Sequence, residues 1–367
     1  MMATPVPSCP VCKSQGVLKY QDLVDALYGS SGHWQMWQCQ SDQCGALWLE
    51  PAPSDMQLRA AYKDYYTHVP HRASVASFKA GLRRAVIGRR LGYPTSDRGW
   101  LRSISRFAVF TPSRTESALY DHLHLPWGKG GRLLEIGCGA GNQLAALRQA
   151  GWDAHGVDFD PAAVATARGR GLQVDQGDVR DLHYPDASFD AVAMAHVIEH
   201  VANPVGLLTE IARLLKPGGR LVLITPNARS LGHLYFKRFW RGLEPPRHLV
   251  VLTPRALRRA VERGGLIPGR SRFSGRDAAT LLLASERAKR APPGHTIERP
   301  REDVAPPLRL RLIERLEFLS SLLGLPWAEE QILLCMKSPA DAAVRINAPS
   351  PAERGRRLES EEAARVS

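Results

Sequence analysis

The sequence predicts an α/β fold with an open, mostly parallel sheet as its core. Residues 131–227 alternate short apolar runs with helical patterns, which is the order of elements expected for such a sheet. A glycine-rich turn joins the first of these strands to the first helix. Two close cysteine pairs precede the core, and they predict a small module near the N-terminus.

The composition is that of a globular protein with surplus positive charge. The 367 residues are 44% hydrophobic, and 49 Lys and Arg outnumber 36 Asp and Glu, for a formal charge of +13. Such a charge favours acidic partners, including phosphates, nucleic acid and anionic lipid, although an arginine-rich source genome would also produce it. The N-terminus lacks a secretory pattern, and no stretch approaches the roughly 20 apolar residues of a membrane span. We therefore predict a cytoplasmic protein without a transmembrane segment.

Composition divides the chain into four predicted regions. The first holds the cysteine pairs, the second is a basic helical cap or linker, the third is the α/β core with two cap insertions, and the last is a disordered tail. Their predicted boundaries are residues 1–50, 51–130, 131–340 (with cap insertions 228–250 and 276–325) and 341–367.

The core opens with a strand, a glycine turn and a helix. Arg132 to Ile136 is a short apolar run, Asn142 to Gln149 has helical spacing, and Gly137, Gly139 and Gly141 lie between them. Glycine permits positive φ and lets a ligand approach main-chain N–H groups. Asparagine replaces the third glycine of the dinucleotide fingerprint, which argues against an NAD site.

Acidic residues follow the next two strands. Asp158 ends the strand in AHGVDFDP, close to the roughly 20-residue offset at which a carboxylate reaches a ribose diol. Gly177, Asp178 and Val179 follow the next strand, where a carboxylate and a backbone N–H could meet the polar edge of adenine. Further on, Asn203 is predicted to cap a helix that begins at Pro204. All these positions fall at the switch side of one open sheet.

In this order the motifs resemble the class I S-adenosylmethionine-dependent methyltransferases, in the small-molecule group that includes the ubiquinone-biosynthesis O-methyltransferases. The resemblance rests on five segments over roughly 100 residues, namely LLEIGCGAG, GVDFDP, QGDVRDL, SFDAVAMAHVIEHV and LLKPGGRLVLITPN. It implies a Rossmann-like seven-stranded methyltransferase sheet with helical cap insertions, and S-adenosylmethionine as the cofactor.

The resemblance also implies roles for the residues of the donor site. Glu135 and the Gly137 to Gly141 loop would hold the methionine end of the cofactor, and Asp158 its ribose. Phe159 would lie along the adenine. Asp178 and Val179 would meet the polar edge of the adenine, and His196 would lie beside the methyl donor.

The segment AHVIEHV contains H-x-x-E-H, the signature of one class of zinc metallopeptidases. A metallopeptidase needs both histidines on one face of a continuous helix, but His196 ends a predicted core strand and the next helix begins near Pro204. The context therefore argues against a peptidase. His196 and His200 would instead line the substrate mouth with Glu199 nearby, or His200 would only hydrogen-bond the loop backbone.

The cysteine pairs are Cys9-x2-Cys12 and Cys39-x4-Cys44. They resemble the zinc-binding module that precedes some methyltransferase cores, and four thiolates would close a tetrahedral, zinc ribbon-like structural site. The second spacing and the gap between the pairs depart from the usual ribbon, so four unliganded thiols are the alternative.

The segment after the core is expected to cover the acceptor. Tyr235, Phe236 and Trp240 could form an apolar wall, while Arg241, Arg247 and His248 could read an acidic or hydroxylated acceptor; the alternative is ordinary surface packing. His200 and His248 are the candidate general bases, because histidine titrates near neutrality.

The resulting functional hypothesis is O-methylation of a small-molecule or glycan-type metabolite, with C- or N-methylation possible. One alternative is an RNA methyltransferase, which the basic helices and the zinc module would suit, although no N-P-P-Y motif supports it. Another is a non-catalytic protein that keeps the fold as a binding scaffold, against which the intact donor residues argue. The acceptor, the methylated atom and the oligomeric state are not encoded in recognisable motifs.

Overall fold

A computed structural model describes residues 6–62, 77–94, 112–291 and 306–340. The predicted tail and parts of the basic linker and of the second cap insertion lie outside these residues. The strands are β1 Gly16–Leu23, β2 Trp34–Cys39, β3 Leu47–Leu49, β4 Arg132–Ile136, β5 Asp153–Asp158, β6 Gln173–Gln176, β7 Phe189–Ala195, β8 Leu215–Pro226, β9 Val250–Val251, β10 Ile267–Ser274 and β11 Glu330–Met336. The helices are α1 Asp55–Tyr62, α2 Ser77–Leu91, α3 Pro112–Tyr120, α4 Asn142–Gln149, α5 Pro161–Gly169, α6 Pro204–Leu214, α7 Leu231–Phe236, α8 Pro254–Arg263, α9 Ala278–Arg290 and α10 Leu308–Leu323.

Seven of the described strands form one sheet in the order β10-β11-β8-β7-β4-β5-β6. The pairs among β4, β5, β6, β7 and β8 are parallel, whereas β11 is antiparallel to both β8 and β10. The chain starts the sheet at β4, extends to β6 at one edge and then crosses back to β7, which places a topological switch between β4 and β7. The predicted seven-stranded α/β sheet is confirmed.

Both faces of this sheet are buried. Along β7, Val192 and Met194 pack into one apolar core while Ala191 and Ala193 pack into the other. This alternation explains why the central strands are apolar at nearly every position, as is usual for parallel sheets covered on both sides. The helix that follows β7 is capped as predicted, because the Asn203 side chain accepts a hydrogen bond from Gly206 N at 3.0 Å.

A second sheet holds the N-terminal module against the core. Its order is β1-β2-β3-β9, so the short strand β9, which follows the first predicted cap insertion, completes a sheet that the N-terminal residues begin. Trp34 and Leu47 of this module belong to the same apolar core as Val192 of the large sheet. Among the described residues, no helix is both long and apolar enough to cross a membrane.

Two glutamates are buried together where α10 meets the segment before β11. Glu317 Oε2 and Glu329 Oε1 have no hydrogen-bond partner among the described residues, and the two carboxyls interact. Burial raises the pKa of both carboxyls above the usual range, and the repulsion between Glu317 and Glu329 raises that of Glu317 further. At least one of the two carboxyls is therefore expected to be protonated near neutral pH.

This pair predicts a pH-dependent stability. A carboxyl whose pKa is raised on folding contributes stability that is fully present below the unfolded pKa near 4.3 and is lost as pH rises through the folded value. We therefore expect the Tm to fall by several degrees between about pH 5 and pH 9. Glu317→Gln should flatten this dependence in a thermal melt, whereas Glu314→Gln, on the same helix, should leave it unchanged; equal slopes in the two variants would exclude the pair as its cause.

Candidate functional site

The turn between β4 and α4 has the backbone geometry that its glycines allow. Gly137, Gly139 and Gly141 have φ values of 72°, 52° and 77°. A Cβ at Gly137 would overlap the side chain of Val197, and one at Gly141 would overlap Leu172. The prediction that these positions need positive φ is confirmed, and larger residues would both strain the turn and fill the space in front of it.

Asp158 at the end of β5 is tied to this glycine turn. Its Oδ2 accepts a hydrogen bond from Gly139 N at 2.8 Å, and its Oδ1 accepts one from Asp160 N at 2.9 Å. The carboxylate is thereby fixed at the carboxyl edge of the sheet. A ribose would donate its hydroxyls to this carboxylate, whose oxygens can each accept more than one hydrogen bond.

Glu135 is a buried carboxyl with one unpartnered oxygen among the described residues. Its Oε2 has no hydrogen-bond partner among the described residues, and its side chain is close enough to Asp158 for the two charges to repel. Burial, and then this repulsion, raise the pKa of Glu135 well above its usual value. An ammonium group would remove both penalties, so the residues present fit the methionine end of S-adenosylmethionine.

Four aromatic side chains connect the donor side to the predicted bases. The ring centroids of Phe159 and Tyr62 are 5.2 Å apart, those of Tyr62 and His200 are 6.0 Å apart, and those of His200 and His248 are 4.8 Å apart. Phe159 is 57% exposed, which leaves its ring available to a planar ligand. Tyr62 therefore connects Phe159 to His200, which contacts His248, so these residues lie in one row of rings.

Asp178 and Val179 lie beyond the end of β6. The Asp178 carboxylate accepts hydrogen bonds from Arg180 N and Arg180 Nε, both at 2.9 Å, and the Arg180 contact lowers the pKa of the carboxyl. The group is therefore ionised and held in one orientation. Val179 is buried, so only its backbone could reach a ligand.

His196 is held between two buried carboxylates. Its Nδ1 lies 3.2 Å from Glu199 Oε1, and its Nε2 lies 3.0 Å from Glu330 Oε1. Burial alone would lower the pKa of His196, but the two carboxylates outweigh burial and raise it to about 10. The residue is therefore a fixed imidazolium rather than a proton acceptor. Its φ of 55° is unusual for a residue other than glycine and lies directly at the end of β7.

The contacts of His200 assign its tautomer. His200 Nδ1 lies 3.0 Å from the carbonyl oxygen of Arg247 and 2.8 Å from the Tyr62 hydroxyl. A carbonyl oxygen can only accept, so Nδ1 carries the proton and Nε2 is the nitrogen that can take one up.

His248 is less suited to act as a base. Its Nδ1 donates to the Gly242 carbonyl oxygen at 2.8 Å, and the residue is buried. Burial lowers its pKa to about 4, which makes it a weak base near neutrality. Of the two predicted bases, the geometry favours His200.

The cap residues do not take the positions predicted for them. Arg247 is fully buried and bonds Asp25 and Glu244, so it is not open to an acceptor, which corrects that prediction. Phe236 and Trp240 are buried, whereas Tyr235 is 44% exposed, so the three rings do not form one wall. The reason is that Trp240 Nε1 donates to Glu329 Oε2 at 2.7 Å and thereby turns into the core.

The four N-terminal cysteines lie together and are buried. Cys9 Sγ is 3.7 Å from Cys44 Sγ, and Cys12 Sγ is 3.3 Å from Cys39 Sγ. A disulfide would need about 2.05 Å, whereas two sulfurs of a zinc tetrahedron with bonds of about 2.3 Å lie about 3.8 Å apart. One ligand atom from each cysteine lies within 4.8 Å of the others, so the donor set fits one tetrahedral zinc ion.

A second group could also hold a metal ion. Glu199, His200 and His248 place their ligand atoms within 4.8 Å of one another. Glu199 is, however, already paired with the His196 imidazolium, which together with nearby histidines outweighs burial and lowers the pKa of Glu199 to about 2. Because the His196 imidazolium already balances the charge of Glu199, we expect Glu199, His200 and His248 to bind a divalent cation only weakly.

We therefore expect one zinc ion per chain, as measured by elemental analysis of the purified protein. Cys12→Ser should lower the zinc content to near zero, because three thiolates bind zinc far more weakly than four. His200→Ala should retain the zinc and serves as the matched control. Loss of zinc in His200→Ala but not in Cys12→Ser would instead assign the zinc site to Glu199, His200 and His248.

Three residues of the site carry no recognisable sequence motif. Tyr62 ends α1 and meets His200, 138 residues away. Glu330 on β11 meets His196, 134 residues away, and Asp25 meets Arg247, 222 residues away. Each depends on how distant segments pack, and nothing in the local pattern distinguishes them from other polar residues.

Comparisons with known proteins agree with this geometry. Residues 110–267 match the family model described as a methyltransferase domain. A ubiquinone biosynthesis O-methyltransferase of Xanthomonas oryzae is 40% identical over 105 residues, which cover 27% of this chain and 44% of the relative. A demethylmenaquinone methyltransferase of Tropheryma whipplei is 37% identical over 98 residues, covering 26% of this chain and 41% of the relative. The chain thus spans less than half the length of these curated relatives.

Among solved structures, a SAM-dependent methyltransferase from Archaeoglobus fulgidus aligns with a TM-score of 0.41 and 19% identity, over 65% of this chain and 100% of that chain.

An open sheet of this strand order, with a glycine turn after β4 and an acidic residue at the end of β5, defines the class I S-adenosylmethionine-dependent methyltransferase fold. This chain carries a methyltransferase domain of that class, preceded by a four-cysteine module.

Proposed function

We propose that the protein transfers a methyl group from S-adenosylmethionine to a small-molecule or glycan-type acceptor, most simply to a hydroxyl oxygen. The observation that carries this proposal is the convergence of three features at one edge of the sheet: the orphan carboxyl oxygen of Glu135, the glycine turn, and the Asp158 carboxylate bound to Gly139 N. His200 lies on the same side, linked to Phe159 through Tyr62.

The donor would be held by these residues and their neighbours. Glu135 would pair with the ammonium group, Asp158 would accept the ribose hydroxyls, and Phe159 would lie along the adenine. The Asp178 carboxylate and the Val179 N–H would meet the polar edge of the adenine. When bound, S-adenosylmethionine supplies an electrophilic methyl group on a sulfonium.

The remaining chemistry needs few side chains, because an in-line displacement gains most of its rate from the positioning of the two reactants. His200 Nε2 would accept the proton of the acceptor hydroxyl, and Tyr62 and the Arg247 carbonyl would hold the ring by its Nδ1. His196, as a half-buried imidazolium between two buried carboxylates, would keep the loop after β7 in place through Glu199 and Glu330. The four cysteines would hold a structural zinc ion in the N-terminal module.

Calorimetry with S-adenosylmethionine and with its demethylated product tests the donor site. Asp158→Ala should remove a bidentate charge-assisted contact, worth on the order of 2 kcal/mol, and so lower the affinity more than roughly tenfold. Asp153→Ala, at the opposite end of β5, is the matched control and should bind normally. Unchanged affinity in Asp158→Ala would refute the ribose assignment.

The acceptor class can be found with a tritiated methyl donor. The protein and the labelled cofactor are incubated with lysate fractions that contain RNA, lipid, glycan or small metabolites. Label in the glycan or small-metabolite fraction supports the proposal. Label in RNA alone would identify RNA as the acceptor in place of a small molecule or glycan. If the protein binds the cofactor but no lysate fraction is labelled, the proposed methyl transfer is contradicted.

A further inference from the structure

A cleft of about 1050 Å³ separates the N-terminal module from the segment that follows β8. Tyr20 and Gln38 of the small sheet line one wall, and Ala228, Leu234 and Trp327 line the other. This volume is at the upper end of the range for small-molecule sites. We call it the basic cleft because lysine and arginine side chains line it.

Four exposed cationic side chains line the basic cleft, and its lining also includes the Asp42 carboxylate and two of the candidate zinc ligands, Cys39 and Cys44. Positive charges that share a concave surface repel one another, and the low-dielectric walls concentrate their field toward an anion. The four cations are Lys19, Arg229, Lys237 and Arg255.

Arg255 is already held in place at the cleft wall. Its Nη1 donates to the carbonyl oxygen of Asp42 at 2.8 Å, which fixes the guanidinium against the N-terminal module. The residue lies in the first turn of α8, where a positive charge opposes the helix dipole, so helix stability does not explain it. A guanidinium has five N–H donors in a planar fork, which suits the oxygens of a phosphate.

The opposite wall exposes apolar surface. Leu234 is 72% exposed and Trp327 is 44% exposed, and both line the cleft. Exposed apolar groups beside a cluster of cations fit an organic ligand that carries phosphate better than they fit an inorganic ion alone. Ala228 and Arg229 lie two and three residues beyond the carboxyl end of β8, at the sheet edge where the donor residues also lie.

We propose that the basic cleft binds the phosphate-bearing part of the methyl acceptor, so that the acceptor is a phosphorylated or pyrophosphorylated small molecule. The role as an acceptor site rests on the proposed methyl transfer, whereas the binding of phosphate does not. The two statements can therefore be tested separately.

Binding is measured by calorimetry with inorganic pyrophosphate at low ionic strength. Arg229→Gln combined with Lys237→Gln should weaken binding by roughly tenfold, because two charge-assisted contacts are lost. The control is Lys129→Gln combined with Arg263→Gln, which removes the same two charge types from exposed positions outside the cleft lining, and it should change the affinity less than twofold. An absence of binding in the wild type, or equal losses in both double variants, would overturn the proposal.

The acceptor role is tested by competition. Pyrophosphate should inhibit the transfer of labelled methyl into the active lysate fraction in the wild type, and should do so less in the cleft variant. Pyrophosphate that binds without inhibiting transfer would show a phosphate site that does not serve the acceptor. Failure to bind S-adenosylmethionine, with pyrophosphate binding intact, would instead contradict the proposed methyl transfer alone.

Discussion

Replacement of Arg247 by methionine is expected to lower the free energy of unfolding by about 3 to 5 kcal/mol, because it removes the cation paired with the buried Asp25 carboxylate and leaves Glu244 with Arg241 alone. The Arg247 guanidinium lies 2.9 Å and 2.8 Å from the two oxygens of Asp25, and its Nε lies 2.8 Å from Glu244 Oε1. Arg247 and Asp25 are at most 1% exposed at their side chains. The loss would be measured by denaturant unfolding with zinc present throughout.

Arg213→Met is the matched control for this substitution. Arg213 also contacts two carboxylates, Asp186 and Glu210, but it is about one-third exposed. Surface pairs contribute about 0 to 1 kcal/mol, so this variant should be nearly as stable as the wild type. A similarly small loss of unfolding free energy in both variants would show that the buried ion pairs of Arg247 contribute little to stability. In Asp25→Asn combined with Arg247→Met, one uncompensated charge is removed, and part of the stability should return.

The Arg247 cluster also connects the N-terminal module to the candidate base. Asp25 lies in the loop between β1 and β2 and binds the Arg247 guanidinium. The carbonyl oxygen of Arg247 in turn accepts a hydrogen bond from His200 Nδ1. Arg247 Nη1 also lies 3.3 Å from the carbonyl oxygen of Ala61, the residue before Tyr62. The N-terminal module therefore contacts, through Asp25, the residue whose carbonyl oxygen orients His200.

The positions of the candidate donor residues could be read from the sequence because they lie in short local motifs, and their roles come from the resemblance to the methyltransferases. Gly137, Gly139 and Gly141 have the positive φ expected of so tight a turn, and the two cysteine pairs indicated a metal site while leaving four unliganded thiols as the alternative. The strand and helix pattern from Arg132 to Pro226 follows from apolar runs that are buried on both faces of a parallel sheet. These signals lie within a few residues of one another.

The acceptor side could not be predicted in the same way. The sequence predicts that Arg247 could bind an acceptor, because a sequence shows a charge but not its partner. In the structure that partner is the buried carboxylate of Asp25. Tyr62 and Glu330 reach the site only after α1 and β11 have packed beside the loop after β7. His196 meets Glu199 three residues away, but its contact with Glu330 spans 134 positions, and His200 contacts Arg247 and Tyr62 across 47 and 138 positions. The hydrophobic pattern does not encode these distant pairings.

His200→Ala is expected to lower turnover roughly 10²- to 10⁴-fold, the usual effect of losing a general base, while the affinity for S-adenosylmethionine stays unchanged. The reason is that Nδ1 is committed to the Arg247 carbonyl oxygen, so Nε2 is the nitrogen that can take the acceptor proton. Turnover would be measured as labelled methyl transferred to the active lysate fraction, and cofactor affinity by calorimetry. Tyr62→Phe should cost less, because it removes one contact to the ring and leaves Nε2 in place.

The pH dependence separates a base from a residue that only positions the acceptor. If His200 removes the proton, the variant should regain part of its activity as pH rises, because the acceptor then ionises without help. A loss that is the same at every pH would mean that His200 positions the acceptor. His248→Ala is the comparison, since its buried ring and lowered pKa predict a loss through packing rather than through proton transfer. Full activity in both variants would leave the positioning of the two reactants as the main source of the rate, and would return both histidines to a structural role.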